Sequence, residues 1–514
     1  MRRADAPSGR SPAAGAGAGP RSEPPSGSTV AAAAVGSEGQ PHATLGLREA
    51  IAIIVGIVIG AGIFKAPSLV AMNVPSEAWL YGAWLLGGLV SLIGALCYAE
   101  LATAFPSAGG DYHFLHRAFG RHVSFLFAWA RFSVITTGSI ALLAFVFGDY
   151  MTQLAPLGAA SPVVWAVLAI VVLTWVNVRG VRAGTRTQSW LTSLEVLGLV
   201  MIVVAGVVAA MTGAGAGEVA GAGAAATAAG ANAAAAAPAA SAPTVAAFGM
   251  AMVFVLLTYG GWNEAAYIGA ELRDEKRNMV RALLWSIAII TSLYVLVNWA
   301  YLSALGLGGM AASKAVAADT LAVSFGSTGR VVIAAMVAIA ALTSINATMI
   351  VGARTTYSLG RDWSALGVLG RWDEARGTPV RAMLAQGGVA LALVVLGLGA
   401  RGGFTTMVEY TAPVFWLFFL LSGVSLLVLR VREPMQPRPF RVPLYPVLPL
   451  LFISSCAYML WSSLSYVRSN SFLGINAAWI GVAVLASGVV LAWVAGLAGR
   501  GPGAAVARAP DRRA

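Results

Sequence analysis

Val55-Gly56-Ile57-Val58-Ile59-Gly60-Ala61-Gly62-Ile63-Phe64 is an apolar run with three glycines among seven consecutive residues. A second run is interrupted in the same way at Thr258-Tyr259-Gly260-Gly261-Trp262-Asn263-Glu264. Glycine weakens a helix. Inside a bilayer, an unwound backbone is tolerated only where its freed amides and carbonyls line a cavity or find other partners. One such segment is explained equally well by tight packing at a small-residue interface. Two of them, in corresponding places of a repeated architecture, point to broken helices around a midplane site.

The rest of the chain places those runs in a membrane. Of its 514 residues 58% are hydrophobic and 11% charged, with mean hydropathy +0.78, where a soluble domain carries about 25% charged residues. A spanning helix needs about 20 apolar residues. Apolar runs bounded by charged or Gly/Pro residues predict spans at 49–72, 78–104, 123–150, 162–179, 187–212 and 244–271, and again at 281–307, 330–358, 381–400, 404–430, 444–467 and 477–497. The expectation is an all-α polytopic membrane protein of about twelve transmembrane helices. A disordered tail covers 1–44, the membrane domain 45–498 and a second tail 499–514. Residues 213–243, nearly all Ala and Gly, read as a flexible external loop.

Twelve spans put both termini on one side, and 27 of the 33 Lys and Arg fall there. Lys65, Lys314, Arg330, Arg401 and Arg468 lie opposite, and Arg131 lies within a span. By the positive-inside rule the termini are cytoplasmic and the protein is multi-pass in the cytoplasmic (inner) membrane. The same scatter of basic residues accounts for the net charge of +12 without a nucleic-acid partner. Cys97 and Cys456 sit in apolar segments and read as core. The histidines, His42, His113, His116 and His122, occupy the tail, a loop or a span end, so no metal site is expected. No phosphate-cradling loop is present. Neither a cofactor nor catalytic residues are implied, and the chain does not read as an enzyme.

Four segments in order carry a more specific resemblance: GIVIGAGIFKAP at 56–67, YAELATAFPSAGGDY at 98–112, YGGWNEAAYIGAEL at 259–272 and LRVREPMQPRPFRVPLYPVLP at 429–449. They resemble the amino acid-polyamine-organocation (APC) superfamily, in the branch near the L-type amino acid transporters, over about residues 48–497. The resemblance implies a leucine-transporter-like inverted repeat, five spans plus five, with two further helices. It also implies secondary active transport of an amino acid by alternating access, as symporter or exchanger. By resemblance, the amides of Gly60, Ala61 and Gly62 take the substrate carboxylate. Carbonyls near Ile57 and from Leu257 through Thr258, Tyr259 and Gly260 take the ammonium group. A zwitterion needs such donors and acceptors a few ångström apart, and broken helices supply both without burying a fixed charge. Trp262 and Asn263 match positions that approach substrate in the family; for Trp262 the alternative is packing or an interface anchor. Leu257 stands where relatives often carry an aromatic gate.

Ionisable residues within spans are costly and suggest function. Glu195 replaces a lysine common in relatives. It reads as a carrier of a proton or another cation, or else as a carboxyl hydrogen-bonded to Thr343 or Ser344 in the eighth span. Glu264 follows the second break and reads as a structural carboxylate, or else as one that lines an exit path or selects cationic substrates. Glu271 opens a mixed-charge run that reads as solvated ion pairs. Arg131 is expected to snorkel or to pair with Glu100. Expected partners are an amino acid substrate, the lipid bilayer, and protons or sodium as coupling ion; no oligomeric state follows. The lack of acidic side chains from Leu257 to Asn263 favours neutral substrates. The alternatives are a polyamine or cationic amino acid carrier, or a non-transporting amino-acid sensor.

Overall fold

The first span is two helices rather than one. α1 (Leu47–Val58) opens with the Glu49 carboxylate accepting the Gly46 N–H at 2.7 Å, and α2 (Ala66–Ala71) resumes after a 3-10 turn at Ala61–Phe64. A computed structural model describes residues 46–497 apart from 108–109, 180–184, 214–241, 266–271, 273–274, 364–365, 400–401, 466–470 and 473–474. The expected tails and nearly all of the 213–243 loop lie outside the described residues.

α3 (Glu77–Ala104), α4 (Asp111–Phe119) and α5 (Arg121–Ala130) follow, and α5 passes through a π-helical turn at Arg131–Thr136 into α6 (Thr137–Leu154) to complete the third span. The wider turn frees carbonyls from the regular ladder. The Ser133 carbonyl accordingly accepts the Tyr410 hydroxyl at 3.0 Å. α7 (Ser161–Val178) starts with proline in its first turn, where the missing N–H costs nothing. α8 (Thr185–Thr212) closes the first five spans.

The sixth span is also split, into α9 (Val245–Thr258) and α10 (Trp262–Ala265). Then come α11 (Glu275–Ala312), α12 (Val316–Asp362), α13 (Val380–Leu396), α14 (Gly403–Arg432), α15 (Val447–Ser465), a two-residue hairpin pairing Ser471–Phe472 with Ile475–Asn476, and α16 (Ala477–Leu497). Among the described residues, eight helical stretches, α5 to α6 counting as one, are long and apolar enough to cross a membrane. Three shorter apolar helices at 245–258, 380–396 and 477–493, with the α1–α2 pair, occupy the other predicted positions. Four spans lie between the two broken ones, so the broken helices cross the bilayer in opposite senses, as inverted repeats of spans one to five and six to ten require. α15 and α16 are the two added helices.

One stretch departs from the sequence expectation. Residues 308–329, read as a connection, are largely helical: α11 and α12 bend at Gly306 and Gly326, both at φ +63°, and continue as arms outside the predicted spans. The arm that opens α12 buries Val316, Ala317, Ala318, Thr320 and Leu321. Burial ranks the spans. The most apolar windows of α3 and of Arg121–Leu154 are each 67% buried and that of α14 is 61%, against 28% for α7 and 33% for α15. The former build the interior. α7 turns Val164, Leu168, Val171 and Trp175 outward, at the spacing of one helix face.

Candidate substrate-binding site

The two breaks meet. The ladder of α1 stops where the Ile59 N–H reaches the Val55 carbonyl at 2.9 Å; Gly60 is then extended, and Lys65 N–H closes the turn on the Gly62 carbonyl at 3.0 Å. The amides of Ala61 and Gly62 therefore head a new helical turn, where N–H groups lack acceptors within the helix and the backbone dipoles favour an anion. α9 ends with Tyr259 N–H on Val255 at 3.0 Å and Gly260 N–H on Leu257 at 3.1 Å.

Gly261 then adopts φ +108°, a conformation that favours glycine. A Cβ there would also lie 3.0 Å from the Ile57 side chain and 3.1 Å from its carbonyl oxygen. On Gly62 a Cβ would meet Thr258 at 3.4 Å. Ile57 thus crosses Gly261, and Gly62 crosses Thr258.

Tyrosines hold the crossing. The Tyr294 hydroxyl of α11 shares its proton between the carbonyls of Val58 and Thr258, at 3.2 and 3.1 Å, the last residue of each broken helix. Its ring stands 5.0 Å from Tyr259 and 5.5 Å from Trp84. Beyond the first break, Tyr150 donates to the Phe64 carbonyl at 2.6 Å and Tyr301 to that of Ile63 at 3.4 Å. Sequence reading missed all three. The available signal was a tyrosine inside an apolar span, whose hydroxyl needs a partner.

Beside the crossing, a small cavity of about 40 Å³ lies between the π-helical turn, α9 and α14. That volume holds a few waters and is below the range of ligand sites. Its wall is apolar, including Ile135, Val253, Leu257 and Trp416, with hydroxyls from Ser139 and Thr411 and no ionisable side chain. Of the predicted site residues Leu257 lines it. Thr258 and Tyr259 direct their side chains elsewhere, the hydroxyls bonding the carbonyls of Phe254 at 2.8 Å and Trp84 at 3.0 Å. Trp262 is 5% exposed and packs against Tyr98, Phe419 and Phe452, with centroids at 5.3, 5.7 and 6.2 Å. Asn263 is half-buried. The side chain of Glu264, and all of Glu271, lie outside the described residues.

Glu195 is 7% exposed on α8, within electrostatic range of Tyr294. The expected bonds to the eighth span are not made among the described residues. Thr343 donates instead to the Ile339 carbonyl of its own helix at 2.9 Å, and the Ser344 carbonyl accepts Thr348 at 2.7 Å. The expected Arg131–Glu100 pair is corrected as well. Glu100 is fully buried and is held by Arg430 through two bonds of 2.7 and 2.5 Å, by the Val442 N–H at 2.7 Å and by Arg438 at 3.4 Å. Those donors fill the carboxylate. Two of the quoted segments, 98–112 and 429–449, therefore form one brace, to which Gln436 adds a bond to the Ala104 carbonyl at 2.7 Å. A further carboxylate unnoticed in the sequence, Glu409, is 1% exposed in α14; its place in an apolar span was the signal.

An amino acid permease family profile matches residues 45–486. The chain belongs to that family, and it is a polytopic membrane permease for amino acids. It is similar to large neutral amino acids transporter small subunit 2 of Oryctolagus cuniculus, 30% identical over 428 residues that cover 81% of this chain and 76% of that protein. It is also 30% identical over 417 residues to b(0,+)-type amino acid transporter 1 of Homo sapiens, covering 79% and 80% of the two chains. The L-type branch expected from the four segments is borne out.

Proposed function

We propose that this permease carries neutral amino acids across the cytoplasmic membrane by alternating access, as symporter or exchanger, with both termini cytoplasmic. The substrate carboxylate is received by the amides of Gly60, Ala61 and Gly62. The ammonium group meets carbonyls of Ile57 and of the Leu257–Gly260 segment, and Trp262 and Asn263 bound the site from below. The side chain lies against the apolar wall beside Leu257, where the small cavity widens to take it. The observation that carries this reading is the cavity wall, which offers hydroxyls and hydrocarbon but no ionisable group. A fixed charge on the substrate side chain would be desolvated there without a partner, which is strongly unfavourable.

Glu195 is the coupling residue in this reading, with Thr343, Ser344 and Glu264 as further candidates along the ion path. Counterflow in proteoliposomes preloaded with each amino acid in turn, at neutral pH without an ion gradient, tests the substrate class. Exchange of leucine-like compounds supports it; exchange confined to arginine, lysine or putrescine overturns it. Proton and sodium gradients imposed on wild type and Glu195→Gln then test coupling. An identical gradient dependence in the two proteins would remove Glu195 from the ion path.

A further inference from the structure

Lys65 is the joint between the 3-10 turn and α2, and it is buried, at 7% exposure. Its ammonium group lies 2.7 Å from Asp149 Oδ2 on α6 and donates to the Lys314 carbonyl at 2.5 Å, in the connection between α11 and α12. The next residue of α6, Tyr150, holds the Phe64 carbonyl. The pair Phe64–Lys65 is thus gripped by the pair Asp149–Tyr150. Asp319, the nearby acidic residue of the α12 arm, is engaged by Ser313 at 2.6 Å and by Arg330 at 3.5 Å. All six residues of α2 are buried.

We propose that Lys65 and Asp149 form an outer latch, an ion pair that holds the outer half of the broken first span against the third span and the α11–α12 connection, and that must part before the site opens to the outside. The proposal rests on the alternating-access reading. A buried ion pair suits this role because it is strongly directional in a water-poor setting, yet each partner regains hydration once α2 swings outward. Lys65 is placed to report that motion first, since any displacement of α2 from α6 separates its ammonium group from Asp149. Apolar packing alone would loosen gradually; this contact is either made or lost.

The test follows exposure of α2 from the outside. Ala71, 4% exposed, is replaced by cysteine in a chain whose Cys97 and Cys456 are replaced by alanine. A membrane-impermeant maleimide is then applied to the outer face of oriented proteoliposomes. Lys65→Met and Asp149→Asn are expected to raise the labelling rate about tenfold, a shift toward the outward-open population. Lys65→Arg keeps both contacts and is expected to label as the parent does. Where a lone buried charge prevents folding, the double variant Lys65→Met/Asp149→Leu removes the pair without stranding either partner, and the same rise is expected. Unchanged labelling in these variants, with melting behaviour like the parent, overturns the latch while counterflow stands. Loss of counterflow in the parent would instead count against the transport reading.

Discussion

The two ends of the molecule are tied by charge in different places. At the end that the proposed orientation makes the inner one, Glu100 joins α3 to α14 and to the segment that leads into α15 through Arg430, Arg438 and the Val442 amide. None of those helices is broken. At the outer end, the Lys65–Asp149 pair grips the broken span itself. The two halves of that span differ in the same sense: α1 buries Ala50, Ile54 and Val58, a single stripe, whereas every residue of α2 is buried. Among the described residues no ion pair joins α1 to another helix. The inner brace therefore secures a frame, whereas in the proposed cycle the outer pair restrains a part that has to move. Moving α1 breaks little that is ionic; moving α2 breaks a buried pair.

The largest expected effect comes from cutting the frame. Glu100→Ala removes the buried carboxylate that two half-buried arginines and the Val442 amide share, and breaking such a group costs up to about 3–5 kcal/mol. Thermal unfolding followed by size-exclusion chromatography in detergent should show a far lower midpoint than in wild type, with little folded protein recovered. A midpoint within a degree or two of wild type would mean that the brace is dispensable and the contrast between the two ends is unfounded. Next in size is Gly261→Val, which forces a β-branched residue to φ +108° and against Ile57. The strain is on the order of 1–3 kcal/mol, and it falls on the crossing rather than on the frame. Uptake should be lost while the unfolding midpoint stays close to wild type.

Much of this difference could be read from the sequence, though not all of it. The breaks were legible because glycines interrupting apolar runs are a local signal, and both appeared where expected, at Gly60 and at Gly260–Gly261. The spans were legible from hydropathy. What brings the segments 98–112 and 429–449 together is a contact between residues some 330 positions apart; from sequence alone Arg131, nearer and also within a span, is the partner that Glu100 offers, with snorkelling as the other reading of that arginine. The helical arms after Gly306 and before Gly326 read as a connection because Gly308, Gly309, Lys314 and Asp319 interrupt their apolar residues. They are helical, and the second buries Val316, Ala317, Ala318, Thr320 and Leu321 against the rest of the fold. At the candidate site, the glycines and Leu257 were visible, whereas Tyr294, Tyr150 and Tyr301 act on backbone carbonyls of other helices, and no sequence spacing encodes that.

Tyr294→Phe sharpens the contrast by loosening both broken helices at once. It removes one hydroxyl whose proton is shared by Val58 and Thr258. A net hydrogen bond is worth about 0.5–1.5 kcal/mol, so uptake should fall roughly three- to tenfold. Tyr301→Phe deletes a single bond of 3.4 Å to Ile63, on the outer side, and should cost less. Initial rates of counterflow decide the order. An equal or larger loss in Tyr301→Phe would place the critical restraint at the outer turn instead of at the crossing.

The smallest effect belongs to the other inner pair, in which Arg117 donates to Glu433 through two bonds of 2.7 and 2.6 Å. Both side chains are partly exposed, 39% and 28%, so water and salt screen them and the pair is worth at most about 1 kcal/mol. The Arg117 guanidinium nevertheless holds the Glu433 carboxyl below its ordinary value. A carboxyl lowered in the folded state stabilises fully above its unfolded value, near pH 4.3, and loses that contribution as pH falls through the lower folded value. Glu433→Gln should therefore melt slightly below wild type at pH 7, with the gap closing under acid or in high salt. Glu100 lies on the same inner side but is fully buried, and the deficit of Glu100→Ala should resist salt. If the two variants responded alike to salt, burial would not be what separates the frame's brace from a surface pair.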